Sequence, residues 1–265
     1  MSGDLLRLTA NLARMTFSSN SSRKAIAAAF KVCGHRLETR WPFLSKAAGK
    51  DLNLSFDDLL AFQWARAGEF SALVVGAYDG VANDPASEFI RVHGARAVFV
   101  EPQPAPFERL RGSMADYPRV QLVNAAIDQK SSSREFFTVP SGIASLPSWI
   151  EQLGSFDRAH LLKHEDRAPG LAQHIVTLTV PTLSFTDVLD RFAFTALDLL
   201  QIDAEGMDAQ LLAWFPFERL KPALLYYETV HMTSADHGAV TNRLTKMGYR
   251  VFTSESPTDD MAVLF

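Results

Sequence analysis

The sequence predicts an α/β domain with a seven-stranded, mostly parallel sheet and an antiparallel C-terminal hairpin, preceded by a helical arm. After Gly68, short apolar and β-branched runs alternate with helix-like segments, which is the pattern of a parallel sheet covered on both faces. Glycines follow the first run and an acid, Glu101, follows the second, as in folds that bind a ligand at the carboxyl ends of their strands. The last two runs are separated only by residues 254–259, too few for a helical crossover, which predicts the hairpin.

Composition and charge narrow the class of protein. The chain has 265 residues, 47% hydrophobic and 21% charged, which is typical of a folded globular protein. A formal net charge of -4 gives no field that favours nucleic acid, so we expect no nucleic-acid partner. No run approaches the about 18 apolar residues that cross a bilayer, and no signal peptide is apparent. The only cysteine, Cys33, lacks companions for a disulfide or a zinc site, so we expect a cytoplasmic location.

The N-terminal region differs in charge from the rest of the chain. Residues 1–50 contain nine Lys or Arg and two acidic residues, and apolar residues recur at helical spacing over 5–43. We therefore divide the chain into a helical extension, 1–69, and a sheet domain, 70–265. Two interpretations of the extension stay open: contact with a membrane surface or a partner protein, and a helical cap or dimerisation arm. The basic residues proposed for such contacts are Arg7, Arg14, Arg23 and Lys24.

Local signals place the elements of the sheet domain. A helix is predicted from near Ser55 to Gly68, because Ser55 can cap it and the acids that follow favour its positive end. Asp84 can cap the helix after the first strand, with Pro85 at its first position, and Gly94 ends it. The predicted strands are 71–75, 96–100, 119–123, 197–202, 223–227, 249–253 and 260–265.

Residues 141–175 break the alternation of strands and helices. Glycine, proline, histidine and aromatic residues are mixed there without a clear period. A long irregular insertion in an α/β domain is either a surface elaboration or a lid over the substrate, and its position favours a lid.

The turn after the first strand, VVGAYDG at 74–80, predicts a binding site. Gly76 and Gly80 let the backbone turn tightly and approach a ligand. The spacing G-x-x-x-G differs from the G-x-G-x-x-G of dinucleotide folds, and Asp79 would repel a pyrophosphate. The same carboxylate would attract a cationic, phosphate-free nucleoside such as S-adenosylmethionine. A tight turn without a ligand is the alternative.

Two further strand ends suit an adenosine group. Glu101 in VFVEPQP ends the second strand, where an acid accepts hydrogen bonds from both ribose hydroxyls. Asn124 in LVNAAI follows the third strand, and the small Ala125 and Ala126 leave room for a flat ring. A surface glutamate and a turn-forming asparagine are the structural alternatives.

Two later strand ends carry candidate catalytic residues. Asp203 and Glu205 in LLQIDAEG follow the fourth long strand, and Glu228 and His231 in YYETVH follow the fifth. A hydroxyl or amine that attacks a methyl group loses a proton, which a carboxylate or imidazole within hydrogen-bond reach can accept. Capping of the next helix by Glu205, and packing of His231 in a turn, are the alternatives.

Taken together, these motifs resemble the FkbM family of methyltransferases over about residues 70–265. The resemblance rests on VVGAYDG, NDP at 83–85, VEPQP, NAAI, VPTL at 180–183, QIDAEG and YETVH. It implies a class I methyltransferase fold of Rossmann-like type, S-adenosylmethionine as donor, no metal, and an oxygen acceptor on a sugar, polysaccharide, glycolipid or polyketide-like product. It also implies roles for these matching positions: Gly76, Ala77, Asp79 and Gly80 at the methionine side, Glu101 at the ribose, Asn124 and Ala125 at the adenine, and the acidic pair Asp203 and Glu205.

The sequence departs from the family pattern at two positions. Val74 stands where many class I methyltransferases have an acid, which gives Asp79 more weight as the charge partner of the sulfonium. Gln201 replaces a lysine that is common before the acidic pair, which affects the expected position of Glu205. A non-catalytic module that binds S-adenosylmethionine is therefore the main alternative. A nicotinamide-dependent oxidoreductase is a weaker one, because the acidic turn disfavours phosphate.

Overall fold

The structure is a computed structural model that describes residues 56–82, 84, 86–254 and 258–264. The predicted helices of the N-terminal extension before residue 56 lie outside this range. Within it, no helix has the length and the apolar character needed to cross a bilayer.

The described elements are as follows. The strands are β1 (Ser71–Val75), β2 (Arg96–Val100), β3 (Val120–Val123), β4 (Ala126–Ile127), β5 (Ser132–Thr138), β6 (Gly154–Ser155), β7 (Val176–Leu183), β8 (Leu199–Ile202), β9 (Leu224–Glu228), β10 (Tyr249–Thr253) and β11 (Asp259–Leu264). The α-helices are α1 (Phe56–Arg66), α2 (Ser87–His93), α3 (Pro104–Ser113), α4 (Arg158–Leu162), α5 (Phe185–Arg191), α6 (Asp208–Trp214) and α7 (Ser234–Lys246). Two short 3-10 helices cover Ser148–Gln152 and Leu171–Gln173.

The main sheet has the order β10-β11-β9-β8-β1-β2-β3. Strand β11 runs antiparallel to both of its neighbours, whereas the pairs among β9, β8, β1, β2 and β3 are parallel. The predicted mostly parallel α/β fold with an antiparallel C-terminal hairpin is therefore confirmed, with strand ends shifted by at most two residues.

Strand β1 explains why the sheet has a core on each face. All five of its residues are buried. Leu73 and Val75 pack into one apolar cluster, and Ala72 and Val74 pack into the other. Because side chains alternate along a strand, an unbroken apolar run fits only a sheet that helices cover on both sides.

The helix after β1 is shorter at its start than predicted. It begins at Ser87, and Asp84 Oδ1 accepts hydrogen bonds from the backbone N–H groups of Ala86 and Ser87, at 3.1 and 3.2 Å. Gly94 ends the helix in the left-handed conformation at φ 59°, as predicted. Asp84 therefore anchors the helix start while its side chain remains beside the carboxyl end of β1.

A second sheet, in the order β4-β7-β5-β6, is absent from the sequence prediction. Its long pair, β5 and β7, is antiparallel, and Phe136 and Val180 on these strands are buried together. Residues 141–175, which we predicted as irregular, contain β6, α4 and the two 3-10 helices. The apolar residues of 176–180 alternate with threonine, and this period of two is the signal of a strand.

Candidate functional site

The carboxyl ends of β1, β2 and β8 border a cleft of about 800 Å³, which we call the main cleft. Strand β1 pairs with β2 on one side and β8 on the other, so neighbouring connections leave the sheet in different directions at this point. Open α/β sheets bind ligands at such a switch point. The residues predicted from sequence that line the main cleft are Gly76, Ala77, Glu101, Ala125, Asp203 and Glu205. The second sheet and the insertion add Phe136, Gly154, Ser155 and Phe156.

Gly76 joins the turns that follow β1 and β8. Its φ is +80°, and a Cβ at this position would lie 1.6 Å from the carbonyl oxygen of Asp203. Any side chain here would force the two turns apart, so glycine is required for both conformation and space. The close approach places Asp203 directly beside the turn of VVGAYDG.

Glu101 is held by backbone donors at the floor of the main cleft. Its Oε2 accepts the N–H of Tyr78 at 2.9 Å, and its Oε1 accepts the N–H of Gln103 at 2.7 Å. The side chain is only 3% exposed. Each carboxylate oxygen has a second acceptor site, so both oxygens can still accept a hydrogen bond from a diol.

Gln201 and Asp84 form a buried polar pair in the lining. Gln201 Nε2 donates to Asp84 Oδ1 at 3.0 Å, whereas the buried Gln201 Oε1 has no partner. A buried amide oxygen without a donor costs free energy, so it is ready to accept a hydrogen bond from a ligand. In the sequence, Gln201 is notable only as a departure from the family pattern.

Three predicted binding residues do not line the main cleft. Asp79 Oδ1 accepts the backbone N–H groups of Val81 and Ala82, at 2.9 and 2.8 Å, so its carboxylate caps its own turn. A Cβ at Gly80 would meet side-chain carbons of α3, which makes this glycine a packing position. Asn124 Nδ2 donates to the carbonyl oxygen of Glu101 at 2.8 Å and so positions the end of β2.

The main cleft is lined by acidic side chains. Among the described residues that line it, none is basic and four are acidic: Asp84, Glu101, Asp203 and Glu205. Burial raises the pKa of Glu101 to about 8, although hydrogen bonds from the backbone of Gln103 and Tyr78 oppose this. Burial also raises the pKa of Asp203, and repulsion from Asp208 and Glu205 adds to it. Uncompensated buried carboxylates favour a cationic ligand.

Five side chains meet beside the main cleft, and we call them the histidine–carboxylate cluster: His160, His164, Glu205, Glu228 and His231. His231 Nε2 lies 3.5 Å from Glu205 Oε2 and 3.8 Å from Glu228 Oε2. His160 Nε2 lies 3.8 Å from the same Glu205 oxygen, and the ring centroids of His160 and His231 are 4.4 Å apart. The structure thus brings together the three predicted catalytic residues.

The cluster places acids and imidazoles in one poorly solvated group. Burial raises the pKa of Glu228 to about 10, and repulsion from Asp203 adds to it. Burial would also raise the pKa of Glu205, but interactions with His160 and His231 outweigh it and hold this pKa below the ordinary value. Burial lowers the pKa of His164, and the neighbouring imidazole of His231 lowers it further. The cluster can therefore accept a proton or coordinate a metal ion. It contains both charged and neutral groups near neutral pH.

His160 and His164 were not among the site residues predicted from the sequence. Both come from the insertion, on α4 and the turn that continues it, whereas Glu205, Glu228 and His231 follow β8 and β9. Their spacing of four residues places them on one helix face, and this was the only signal in the sequence.

A family model described as "Methyltransferase FkbM domain" matches residues 75–251. No curated protein matches the chain significantly. The matched range contains the main cleft and all five residues of the histidine–carboxylate cluster.

The solved structures similar to this chain include three methyltransferases. Methyltransferase FkbM from Methylobacillus flagellatus KT is 13% identical with a TM-score of 0.45, and the match covers 99% of this chain and 59% of that one. Precorrin-6y C5,15-methyltransferase from Geobacter metallireducens GS-15 is 14% identical with a TM-score of 0.38, covering 74% and 79%. The O-methyltransferase from Bacillus cereus in complex with SAH is 12% identical with a TM-score of 0.37, covering 90% and 97%. The chain thus spans about three fifths of the first of these structures.

Proposed function

This chain belongs to the FkbM family of methyltransferases, and we propose that it methylates a hydroxyl group on a sugar, polysaccharide, glycolipid or secondary metabolite. As a member of this family it uses S-adenosylmethionine as its donor. One observation carries the proposal: Glu205 lines the acidic main cleft and also belongs to the histidine–carboxylate cluster, so the two adjoin.

The residues of the main cleft suit the parts of the donor. Glu101, with two backbone-held oxygens, would accept hydrogen bonds from the ribose hydroxyls. Asp203 beside Gly76, and the unpartnered Oε1 of Gln201, would hold the cationic methionine portion. Ala125 and its apolar neighbours in the second sheet would border the adenine.

Asp203 replaces Asp79 in this proposal as the charge partner of the donor. The carboxylate of Asp79 is occupied by two N–H groups of its own turn, whereas Asp203 lines the main cleft. The absence of basic residues from the described lining also argues against a dinucleotide, whose pyrophosphate needs positive partners.

When bound, S-adenosylmethionine supplies an electrophilic methyl group that the acceptor oxygen displaces, so that S-adenosylhomocysteine is the product. The chain's own residues then have two tasks: to align the acceptor and to take its proton. His231 Nε2 lies 3.5 Å from Glu205 Oε2, so the carboxylate of Glu205 can stabilise the imidazolium formed when His231 accepts the proton. A sugar hydroxyl needs this assistance because little of it is ionised at neutral pH.

Residues 141–175, the insertion, would line the part of the site where the methyl acceptor binds. His160 of α4 reaches the cluster, while Ser155 and Phe156 line the main cleft. We therefore retain the interpretation of residues 141–175 as a cover over the substrate.

The test is transfer of a labelled methyl group from S-adenosylmethionine to molecules in an extract of the host, with the acceptor identified by mass spectrometry. We expect label on oxygen of a small molecule or glycan, and a loss of about 10²-fold or more in kcat for His231→Gln. His174→Gln, in the same insertion but outside the cluster, is the matched control. Donor binding without any labelled product would instead indicate a non-catalytic module, and label on nitrogen would refute O-methylation.

A further inference from the structure

Two imidazoles of the histidine–carboxylate cluster are buried without a hydrogen-bond partner. His160 is 4% exposed and His164 is 8% exposed, and the Nε2 atom of each has no partner. Glu228 Oε2 is also buried and unpartnered. A buried polar atom without a partner costs about 1–3 kcal/mol, so three such atoms at one place require an explanation.

Ring nitrogens of three histidines in the cluster lie close together. One ring nitrogen each from His160, His164 and His231 lies within 4.8 Å of the other two. The ring planes of His231 are steeply inclined to those of the other two histidines, at 82° and 84°. The rings therefore do not stack face to face, and three nitrogens this close together could serve as ligands of one ion.

Distances to the carboxylates agree with a shared ligand sphere. Glu205 Oε2 lies 3.5 Å from His231 Nε2 and 3.8 Å from His160 Nε2, which is long for a charge-assisted hydrogen bond. A zinc ion with nitrogen and oxygen ligands at about 2.0–2.1 Å separates neighbouring ligand atoms by about 3.4 Å in a tetrahedron. Small side-chain movements would bring these atoms into such a sphere.

The backbone makes room for this arrangement. Gly206 follows Glu205 with φ +89°, and a Cβ there would lie 2.7 Å from Nδ1 of His160. The glycine lets the His160 ring pack directly against the turn that carries Glu205. The insertion is thereby held to the carboxyl end of the sheet by side chains of the cluster.

We propose that the histidine–carboxylate cluster binds one divalent transition-metal ion of the zinc type, through His160, His164, His231 and Glu205. Three imidazoles and one carboxylate suit Zn²⁺, Fe²⁺ or Co²⁺, whereas Mg²⁺ and Ca²⁺ prefer oxygen ligands. This site departs from the family resemblance, which implies no metal. The partial exposure of His231, 18% of its side chain, leaves a side from which a fifth ligand can approach and expand the coordination from four to five.

A metal here would act on the acceptor, and this part of the inference rests on the proposed function. The cluster shares Glu205 with the main cleft, so an ion in it would lie beside the place where the acceptor meets the donor. An oxygen bound to the ion has a lowered pKa and loses its proton more readily. His231 would then be a ligand instead of the proton acceptor, and the proton of the acceptor would pass to solvent at the partly exposed side of the cluster.

The experiment uses the full chain after treatment with a chelator, titrated with Co²⁺ as an optical probe and with Zn²⁺ in competition. We expect one equivalent of Co²⁺ with visible absorption, displacement by Zn²⁺, and no displacement by excess Mg²⁺. Loss of partners behind the ligands weakens metal sites 10–100-fold, so His160→Gln and His231→Gln should weaken Co²⁺ binding more than about 100-fold. His174→Gln should bind as the unaltered chain does.

Several outcomes would overturn the metal site. Absence of stoichiometric Co²⁺ binding would indicate that water satisfies the buried nitrogens, and unchanged binding by both cluster variants would place the ion elsewhere. Titration with S-adenosylmethionine shows whether each variant has folded, because donor binding does not use the two histidines. Methyl transfer by chelator-treated protein at an unchanged rate would refute the role of the metal but leave the proposed function intact. Metal binding without methyl transfer would refute the proposed function but leave the metal site intact.

Discussion

The main cleft and the histidine–carboxylate cluster differ in how their carboxylates and imidazoles are held. In the main cleft, two backbone N–H groups donate to the carboxylate of Glu101. Asp84 accepts hydrogen bonds from the backbone at the start of α2 and from Gln201. In the histidine–carboxylate cluster, His160, His164 and Glu228 each have a buried atom with no partner. The carboxylate of Glu101 in the main cleft is thus held by local backbone, although Gln201 Oε1 in the same lining is buried without a partner. The cluster is assembled from distant segments, and three of its buried polar atoms have no partner within the protein.

This contrast leads to different expectations for substitutions at the two ends. Changes in the main cleft should affect donor binding and folding, because its side chains are part of the turns between strands. Changes in the cluster should affect methyl transfer and ion binding with little effect on the donor. The predictions below probe the main cleft, from the largest expected effect to the smallest.

The largest effect is expected from Gly76→Ala. The new Cβ would lie 1.6 Å from the carbonyl oxygen of Asp203, and φ is +80°, so the turns after β1 and β8 must separate. We expect destabilisation of more than about 4 kcal/mol and loss of donor binding, measured by denaturant unfolding and calorimetry. Gly94→Ala is the control, because it has φ +59° but no atom within 4 Å, and it should cost about 1 kcal/mol. Equal effects of the two variants would contradict the close packing of the turns.

Glu101→Gln should weaken S-adenosylmethionine binding by about 100-fold. In the unaltered chain, two backbone N–H groups donate to the carboxylate of Glu101. The substitution replaces one acceptor oxygen by an amide NH₂, which faces one of these N–H groups without being able to accept from it. Calorimetric titration measures the dissociation constant. Glu108→Gln on the exposed face of α3 is the matched control and should leave the affinity unchanged. An equal affinity of Glu101→Gln and the unaltered chain would remove this residue from the ribose site.

Asp203→Asn should weaken donor binding by about tenfold, and Asp79→Asn by less than about threefold. Asp203 lines the main cleft, whereas the carboxylate of Asp79 caps its own turn through an oxygen that asparagine retains. Paired titrations of the two variants with S-adenosylmethionine measure the difference. The reverse order would restore Asp79 as the charge partner expected from sequence.

The contribution of Glu101 to the stability of the ligand-free chain should fall by about 2 kcal/mol between pH 6.5 and pH 9. Burial raises the pKa of Glu101 to about 8, so the folded chain holds a proton that the unfolded chain has already released. The stabilisation is complete below the ordinary glutamate pKa and is lost as the pH rises through about 8. Denaturant unfolding at both pH values measures it, and the loss should be smaller in Glu101→Gln. An equal pH dependence in the variant would show that Glu101 is ionised in the folded chain.

The same contrast explains how much could be predicted from the sequence. The strands and the place of Glu101 depend on local patterns, namely apolar runs and the residues that directly follow them, so they were found. Whether Asp79 or Asp203 faces the ligand depends on which N–H groups lie nearby, and an aspartate in a turn often caps its own backbone. His160 and His164 depend on how the insertion folds back onto the sheet, which no local pattern shows. The strands β5 and β7 had a usable signal in the alternation of residues 176–180.

The central claim is that buried carboxylates of the main cleft recognise a cationic, phosphate-free nucleoside. The most direct measurement is calorimetric titration of S-adenosylmethionine into the unaltered chain and into the double variant Glu101→Gln, Asp203→Asn, with NAD⁺ as the competing ligand. We predict one bound S-adenosylmethionine per chain, an affinity more than about 100-fold lower in the double variant, and no binding of NAD⁺. Unchanged affinity in the double variant, or preferential binding of NAD⁺, would contradict the claim.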